Sequence, residues 1–192
     1  METPVSLLER LRAEPNDEAW RRLDAIYRPL IQHWLLRWPS LGDEAEDVVQ
    51  DVMAVVIREL SAFQRQRKGS FRSWLRTITA HRALAHYHTL QRQPRTVGAP
   101  LEECPLAQLQ DPNSELSLLW NQEHDRHVLR RLLELIEPMF EDTTLAAFRR
   151  VVFDEVEAER AAKELGLSVA AVWLAKSRVL KALRQEAEGL ID

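Results

Sequence analysis

The chain has 192 residues, 45% of them hydrophobic and 29% charged, with a formal net charge of −4. That is material for one ordinary domain or two small ones with real cores, and a balance this mildly acidic neither demands nor excludes nucleic acid. A single cysteine, Cys104, excludes an internal disulfide, and no apolar run approaches the ~18 residues of a membrane span, so a soluble chain of the reducing cytosol is expected. The opening METPVSLLERLRAEPNDE carries acids and an early proline where a signal peptide would have a long apolar segment. Glycine is scarce, and no stretch alternates apolar and polar residues for long. An all-α protein is therefore favoured over a sandwich or barrel.

In chain order, Ser6-Leu7-Leu8-Glu9 matches a capping box and predicts a short helix that stops near Pro15. Asn16-Asp17 caps the next, in which Trp20, Leu23, Tyr27, Leu30, Ile31, Trp34 and Leu35 recur at steps of three and four. After Pro39 and Gly42, Asp43-Glu44 put negative charge in the first turn of a third helix, where the macrodipole favours it. Its apolar face is predicted to hold Val48, Val49, Val52, Met53, Val56, Ile57 and Leu60. The valines have strand propensity, but their spacing is helical. A fourth helix opens at Ser70 and runs through Phe71, Trp74, Leu75, Ile78 and Leu84 to about Gln91. From Arg95 to Asn113 the pattern is lost among Pro100, Pro105 and Pro112, which predicts an extended, flexible linker. Helical periodicity returns at Ser114–Ile136, Asp142–Phe153, Val156–Leu165 and Val169 to about Ala187. The expected architecture is two small helical domains, residues 1–94 and 114–192, joined by a linker over 95–113.

Two stretches carry the candidate chemistry. In the first, Ala161 and Ala162 precede Gly166, the residue best able to take a left-handed helix end, and Ser168 can cap the helix that follows. Two helices joined by a short turn containing glycine form a helix-turn-helix, here over about 158–184, whose second helix would lie in the DNA major groove. On that helix Val172, Val179 and Leu183 share a buried stripe. Ser177, Lys181 and Arg184 lie outward, with Lys176 and Arg178 on the flanks, so cations gather locally on an acidic chain as a polyanion partner requires. Trp173 falls at the edge, open between edge packing and contact with a thymine methyl or sugar.

The second stretch, from Arg58 to Arg95, holds Arg58, Arg65, Arg67, Lys68, Arg72, Arg76, Arg82, Arg92 and Arg95 against the single acid Glu59. Phe63, Phe71, Trp74 and Tyr87 are interleaved, with His81, His86 and His88. Cations that track phosphate and rings that stack on bases suit unpaired nucleic acid. Phe71, Trp74 and Ile78 also have core spacing, and Arg72 and Arg76 share a different face. The preceding helix starts acidic, with a polar face through Asp47, Gln50 and Asp51 that suits either solvent or a protein partner.

Glu46-Asp47-Val48-Val49-Gln50-Asp51-Val52, followed by Phe71-Arg72-Ser73-Trp74-Leu75-Arg76-Thr77-Ile78-Thr79, resembles region 2 of bacterial RNA polymerase sigma factors. The second domain resembles their region 4, ending Ala175-Lys176-Ser177-Arg178-Val179-Leu180 in the manner of one branch of the compact extracytoplasmic-function (ECF) group. The chain departs from the usual pattern at Ala85, His88 and Thr89, and at Ala171 and Trp173 of the recognition helix. The resemblance implies a region 2 helical bundle and a region 4 helix-turn-helix. It implies a sigma factor that binds core RNA polymerase and directs promoter-specific transcription initiation. Asp47, Gln50 and Asp51 would dock the β′ clamp helices. Arg65, Lys68, Arg72, Trp74, Arg76 and His81 would open the −10 element and capture a flipped base. Ser168, Ala170, Trp173, Lys176, Ser177, Arg178 and Lys181 would read the −35 element. Residues around Asp142–Phe153 would meet the β flap, and the acidic linker would thread toward the RNA exit channel. An anti-sigma protein is a further partner that the resemblance admits.

Two other classes stay open on the residues alone: a helix-turn-helix regulator acting on duplex DNA without polymerase, and a helical interaction protein that has lost DNA binding. An enzyme is not expected, because the sequence has no P-loop, nucleophile elbow, metal motif or glycine-rich phosphate cradle. No catalytic residue, metal site or cofactor is assigned. His81, His86 and His88 lack the four-residue helical spacing of a metal pair.

Overall fold

A computed structural model describes residues 6–13, 16–38, 41, 44–63, 70–92 and 105–191. Eight α-helices carry them: α1 Leu7–Ala13, α2 Asp17–Leu35, α3 Ala45–Glu59, α4 Ser70–Arg92, α5 Glu115–Ile136, α6 Asp142–Val152, α7 Ala158–Leu165 and α8 Val169–Ala187. No strand occurs among the described residues, so the chain is all-α. No described helix is long and apolar enough to cross a membrane.

The starts of the helices follow local chemistry. Ser6 N donates to Glu9 Oε2 (3.1 Å) and Glu9 N to Ser6 Oγ (3.3 Å), the reciprocal capping box expected for α1. Asn16 Oδ1 accepts from Ala19 N at 2.8 Å to start α2, and Ser114 Oγ accepts from Ser117 N at 3.1 Å to start α5. In α3 the helical period prevails over the strand propensity of its valines: Val48, Val49, Val52, Val55 and Val56 are all buried. Ile57, expected on that buried face, is instead 52% exposed, and Val55 takes the inward position. The buried hydroxyl of Thr79 on α4 is satisfied by donating back to Leu75 O at 2.9 Å.

The expected flexible linker is in part an ordered, buried turn. Pro105–Gln110 is a 3-10 helix whose Leu106 and Leu109 are fully buried. Leucines three apart fall on one side of a three-residue turn, so six residues suffice to cover an apolar strip of α4. Ser117 Oγ donates to Asp111 O at 2.7 Å and Ser114 Oγ to Gln108 O at 2.7 Å, fastening this turn to the start of α5. Residues 95–104 of the expected linker lie outside the described residues.

Two cores result. The larger one runs continuously through α1, α2, α3, α4, the 105–110 turn, α5, Leu145 and Phe148 of α6, and Val179 and Leu183 of α8. Its centre includes Trp34 of α2 and Trp120 of α5, both fully buried with ring centroids 4.9 Å apart. The smaller core is built of Ala147, Ala158, Ala161, Ala162, Val172 and Ala175. These small side chains let α6, α7 and α8 approach closely, which sets the angle at which α8 is presented.

Candidate polymerase-binding and nucleic-acid-binding surfaces

The acidic start of α3 divides into an anchored and a free part. Glu46 is tied to α2, where Arg28 Nη1 donates to it at 3.0 Å while Arg28 Nε holds Asp24 at 3.0 Å. Asp47 and Gln50 are exposed. Asp51, also exposed, is met across the α3–α4 groove by His86 Nε2 at 2.8 Å, and His86 Nδ1 stands 3.6 Å from Glu44. The three residues predicted to dock a partner therefore share one open face. The groove beside it is lined by Glu44, Asp51, Arg82, Ala85, His86 and Thr89.

The first half of α4 is different. Phe71 is buried. Trp74 is half-buried in an aromatic cluster, its ring 5.0 Å from Phe63 and 5.5 Å from Phe71, and Phe71 in turn lies 5.3 Å from Tyr27. Arg72 and Arg76, which the sequence places on a face different from that of Phe71, Trp74 and Ile78, lie under α5. Arg72 Nη1 donates to Asp125 Oδ2 at 2.5 Å, and Arg76 Nη1 to Asn121 Oδ1 at 3.3 Å. Arg76 is only 4% exposed, and burial together with the neighbouring charge of Arg72 lowers its pKa from the usual guanidinium value. For Asp125, burial pushes the carboxyl up, but hydrogen bonds from His124 and Arg72, with their charges, outweigh it and hold the group below its ordinary range. His81 is exposed. Arg65 and Lys68 lie outside the described residues, so Arg72, Trp74, Arg76 and His81 are the members of the predicted −10 set with a described position.

The third surface is α8. Gly166 ends α7 at φ 66°, ψ 31°, and Leu167 N donates back to Ala162 O at 2.9 Å, a six-residue closure of the helix end. Ser168 Oγ then accepts from Ala171 N at 3.1 Å. The turn-and-cap geometry read from the sequence is present. Val172, Ala175, Val179 and Leu183 face inward. Ser168, Ala170, Ser177, Arg178 and Lys181 are exposed, and Lys176 is half-buried. Trp173 is 51% exposed and Lys176 Nζ sits 5.2 Å from its ring centroid, so the indole is an edge platform with a cation over it rather than core. No ion pair among the described residues engages Lys176, Arg178 or Lys181. By contrast, α7 is tied to α6 through Arg150, which pairs with both Glu164 and Asp154.

The sequence reading missed the residues of α5 that cover α4: Asn121, His124 and Asp125, with Glu123 and His127 beside them. His127 Nε2 donates to the Ile26 carbonyl at 2.8 Å and Arg37 donates to Glu123 at 2.8 Å, binding α5 to α2. The signal available was one of charge: Glu123 and Asp125 on one helix, and a stretch with almost no acid on another.

A family model described as sigma-70 region 2 matches residues 23–93. An ECF RNA polymerase sigma factor RpoE from Cereibacter sphaeroides is 29% identical to this chain over 80 residues, which is 42% of the chain and 44% of that protein. The chain thus aligns with under half the length of this relative. The matched residues take in the exposed acidic face of α3 and the whole aromatic-basic part of α4, the surfaces built above. Residues 23–93 of the chain thus match sigma-70 region 2, and over 80 residues the chain is similar to an extracytoplasmic-function sigma factor.

Proposed function

We propose that this chain is a sigma factor that binds core RNA polymerase and directs initiation at particular promoters. The observation that carries the reading is the coexistence of two unlike surfaces on one chain. A region 2 match brings an open acidic face, and a capped helix-turn-helix presents cations that no ion pair engages among the described residues. In this reading residues 1–94 act as region 2 and 114–192 as region 4, with 95–113 between them. Asp47, Gln50 and Asp51 meet the β′ clamp helices, and the face around α6 meets the β flap. Arg65, Lys68, Arg72, Trp74, Arg76 and His81 engage the −10 strand. Ser168, Ala170, Trp173, Lys176, Ser177, Arg178 and Lys181 meet the −35 duplex. The place of action is the cytoplasm, and an anti-sigma protein is a further partner of this class of surface.

No bond is made or broken by the chain. Cations of α8 neutralise phosphates and displace their counterions, which supplies affinity and fixes register, while side chains at the helix start read base edges. Extruding a base from the stack costs a few kcal/mol, which contacts to the unpaired strand must return. The polymerase supplies the metal and the catalysis.

The test is co-purification with core RNA polymerase. The wild-type chain is expected to co-elute with it. Asp51→Arg, a charge reversal on an exposed position, is expected to abolish co-elution while leaving the helical circular dichroism unchanged. Undiminished co-elution of the variant would remove α3 from the docking surface.

A further inference from the structure

We infer that α8 selects thymine in its duplex site by apolar contact with the C5-methyl group, with Trp173 as the specificity-determining residue and Ala170 and Leu174 beside it. The inference deepens the reading above, which lays α8 on the −35 duplex, and rests on it.

Ala170, Trp173, Leu174 and Ser177 have the i, i+3, i+4, i+7 spacing of one helix stripe. An apolar stripe of that period ordinarily faces a core. Here all four residues are exposed, Trp173 to 51% and Leu174 to 54%, while Val172, Ala175, Val179 and Leu183 fill the core on the opposite side. The stripe lies at the start of the second helix of a helix-turn-helix, the part whose side chains reach base edges. Each base is read there by its own chemistry. Guanine takes Arg or Lys, adenine Asn or Gln, cytosine Glu or Asp, and thymine an apolar group on its methyl. From Val169 to Ala175 the helix reads VAAVWLA, which holds no side chain of the first three kinds. Its one polar side-chain group is the Trp173 indole N–H, a donor only. Just outside that run, Ser168 Oγ is engaged by Ala171 N at 3.1 Å, and Lys176 Nζ is drawn onto the Trp173 ring at 5.2 Å. Thymine is the base that this surface matches.

The charge around the stripe says what kind of molecule covers it. Arg178, Lys181 and Arg184 are exposed further along the same side of α8, and no ion pair among the described residues engages them. Apolar readers beside unpaired cations fit the major groove, where thymine methyls lie between two phosphate backbones. The ammonium of Lys176 over the indole also holds that ring in place before contact, so less side-chain freedom is lost on binding. The cations supply affinity for any duplex, and the apolar stripe supplies the choice among them.

The test uses the full chain, alone and in parallel with core polymerase, and fluorescein-labelled duplex DNA randomised over one helical turn. Duplexes recovered from the bound fraction are expected to share thymines. The recovered duplex is then remade with deoxyuridine for thymidine, which keeps every hydrogen-bonding edge and removes the methyls alone. By anisotropy, wild type is expected to bind the uracil duplex about fourfold more weakly for each methyl it covers. Trp173→Ala, a change at an exposed position, is expected to lose most of that difference. Lys181→Ala should weaken binding to both duplexes equally and keep the wild-type ratio. Recovery of no duplex in either form, a recovered site without thymine, equal affinity of wild type for the two duplexes, or a ratio unchanged by Trp173→Ala would overturn the inference. So would a Trp173→Ala chain that binds DNA as wild type does and instead loses a protein partner. Co-elution with core polymerase is measured alongside. A chain that co-elutes but shows no methyl dependence fails this inference alone, and one that keeps the methyl dependence without co-elution fails the sigma-factor reading alone.

Discussion

Arg178 and Lys181 are exposed on α8 and make no ion pair among the described residues, while Arg150 and Arg160 a helix away are both paired with Glu164. Unpaired cations on one stripe of a capped helix are available to phosphates. Arg178 sits well beyond the first turn of α8, where a side chain meets the backbone more readily than base edges. Arg178→Ala is expected to weaken duplex binding across sequences and to lower the slope of log affinity against log salt by about 1, without loss of polymerase co-elution. An unchanged salt slope would take Arg178 off the DNA. Trp173 is a different case. Its half-exposed ring, with Lys176 above it, stands at the edge of the buried stripe that Val172 and Ala175 fill, out of the core and open to a partner.

The turn between α7 and α8 shows what local chemistry makes legible. Gly166 has nothing within 4 Å of a would-be Cβ, so its requirement is purely the left-handed backbone at φ 66°. Gly166→Ala is therefore expected to cost about 1 kcal/mol in denaturant unfolding, with Gly166→Asn losing less; equal stability of all three would mean that the turn relaxes. Caps, helix starts and the glycine stop could all be read from sequence because each depends on neighbours three or four residues away. Pro105–Gln110 could not. Its six residues are too few to show a period, and its prolines carry the signature of a linker, although Leu106 and Leu109 have a partner surface on α4 far away in sequence. Ile57 and Val55 of α3 exchanged their expected places for a related reason: two adjacent residues at a stripe edge are sorted by what packs against them.

At the scale of the whole molecule, the two halves divided by the 95–113 segment share one core rather than standing apart. The aromatic-basic composition of α4 and the acids of α5 are both legible in the sequence. Their pairing is not, because ion pairs between helices depend on how the bundle closes. Trp34 on Trp120, and Arg72 on Asp125, close it. The same pairings help to give the chain a continuous core.

The most direct measurement of the central claim is transcription from fragmented genomic DNA by core RNA polymerase, with and without this chain. The account predicts new, discrete start sites that share elements near −10 and −35 and that disappear with Asp51→Arg. Duplex binding by the chain with no association to core polymerase and no new start sites would contradict it.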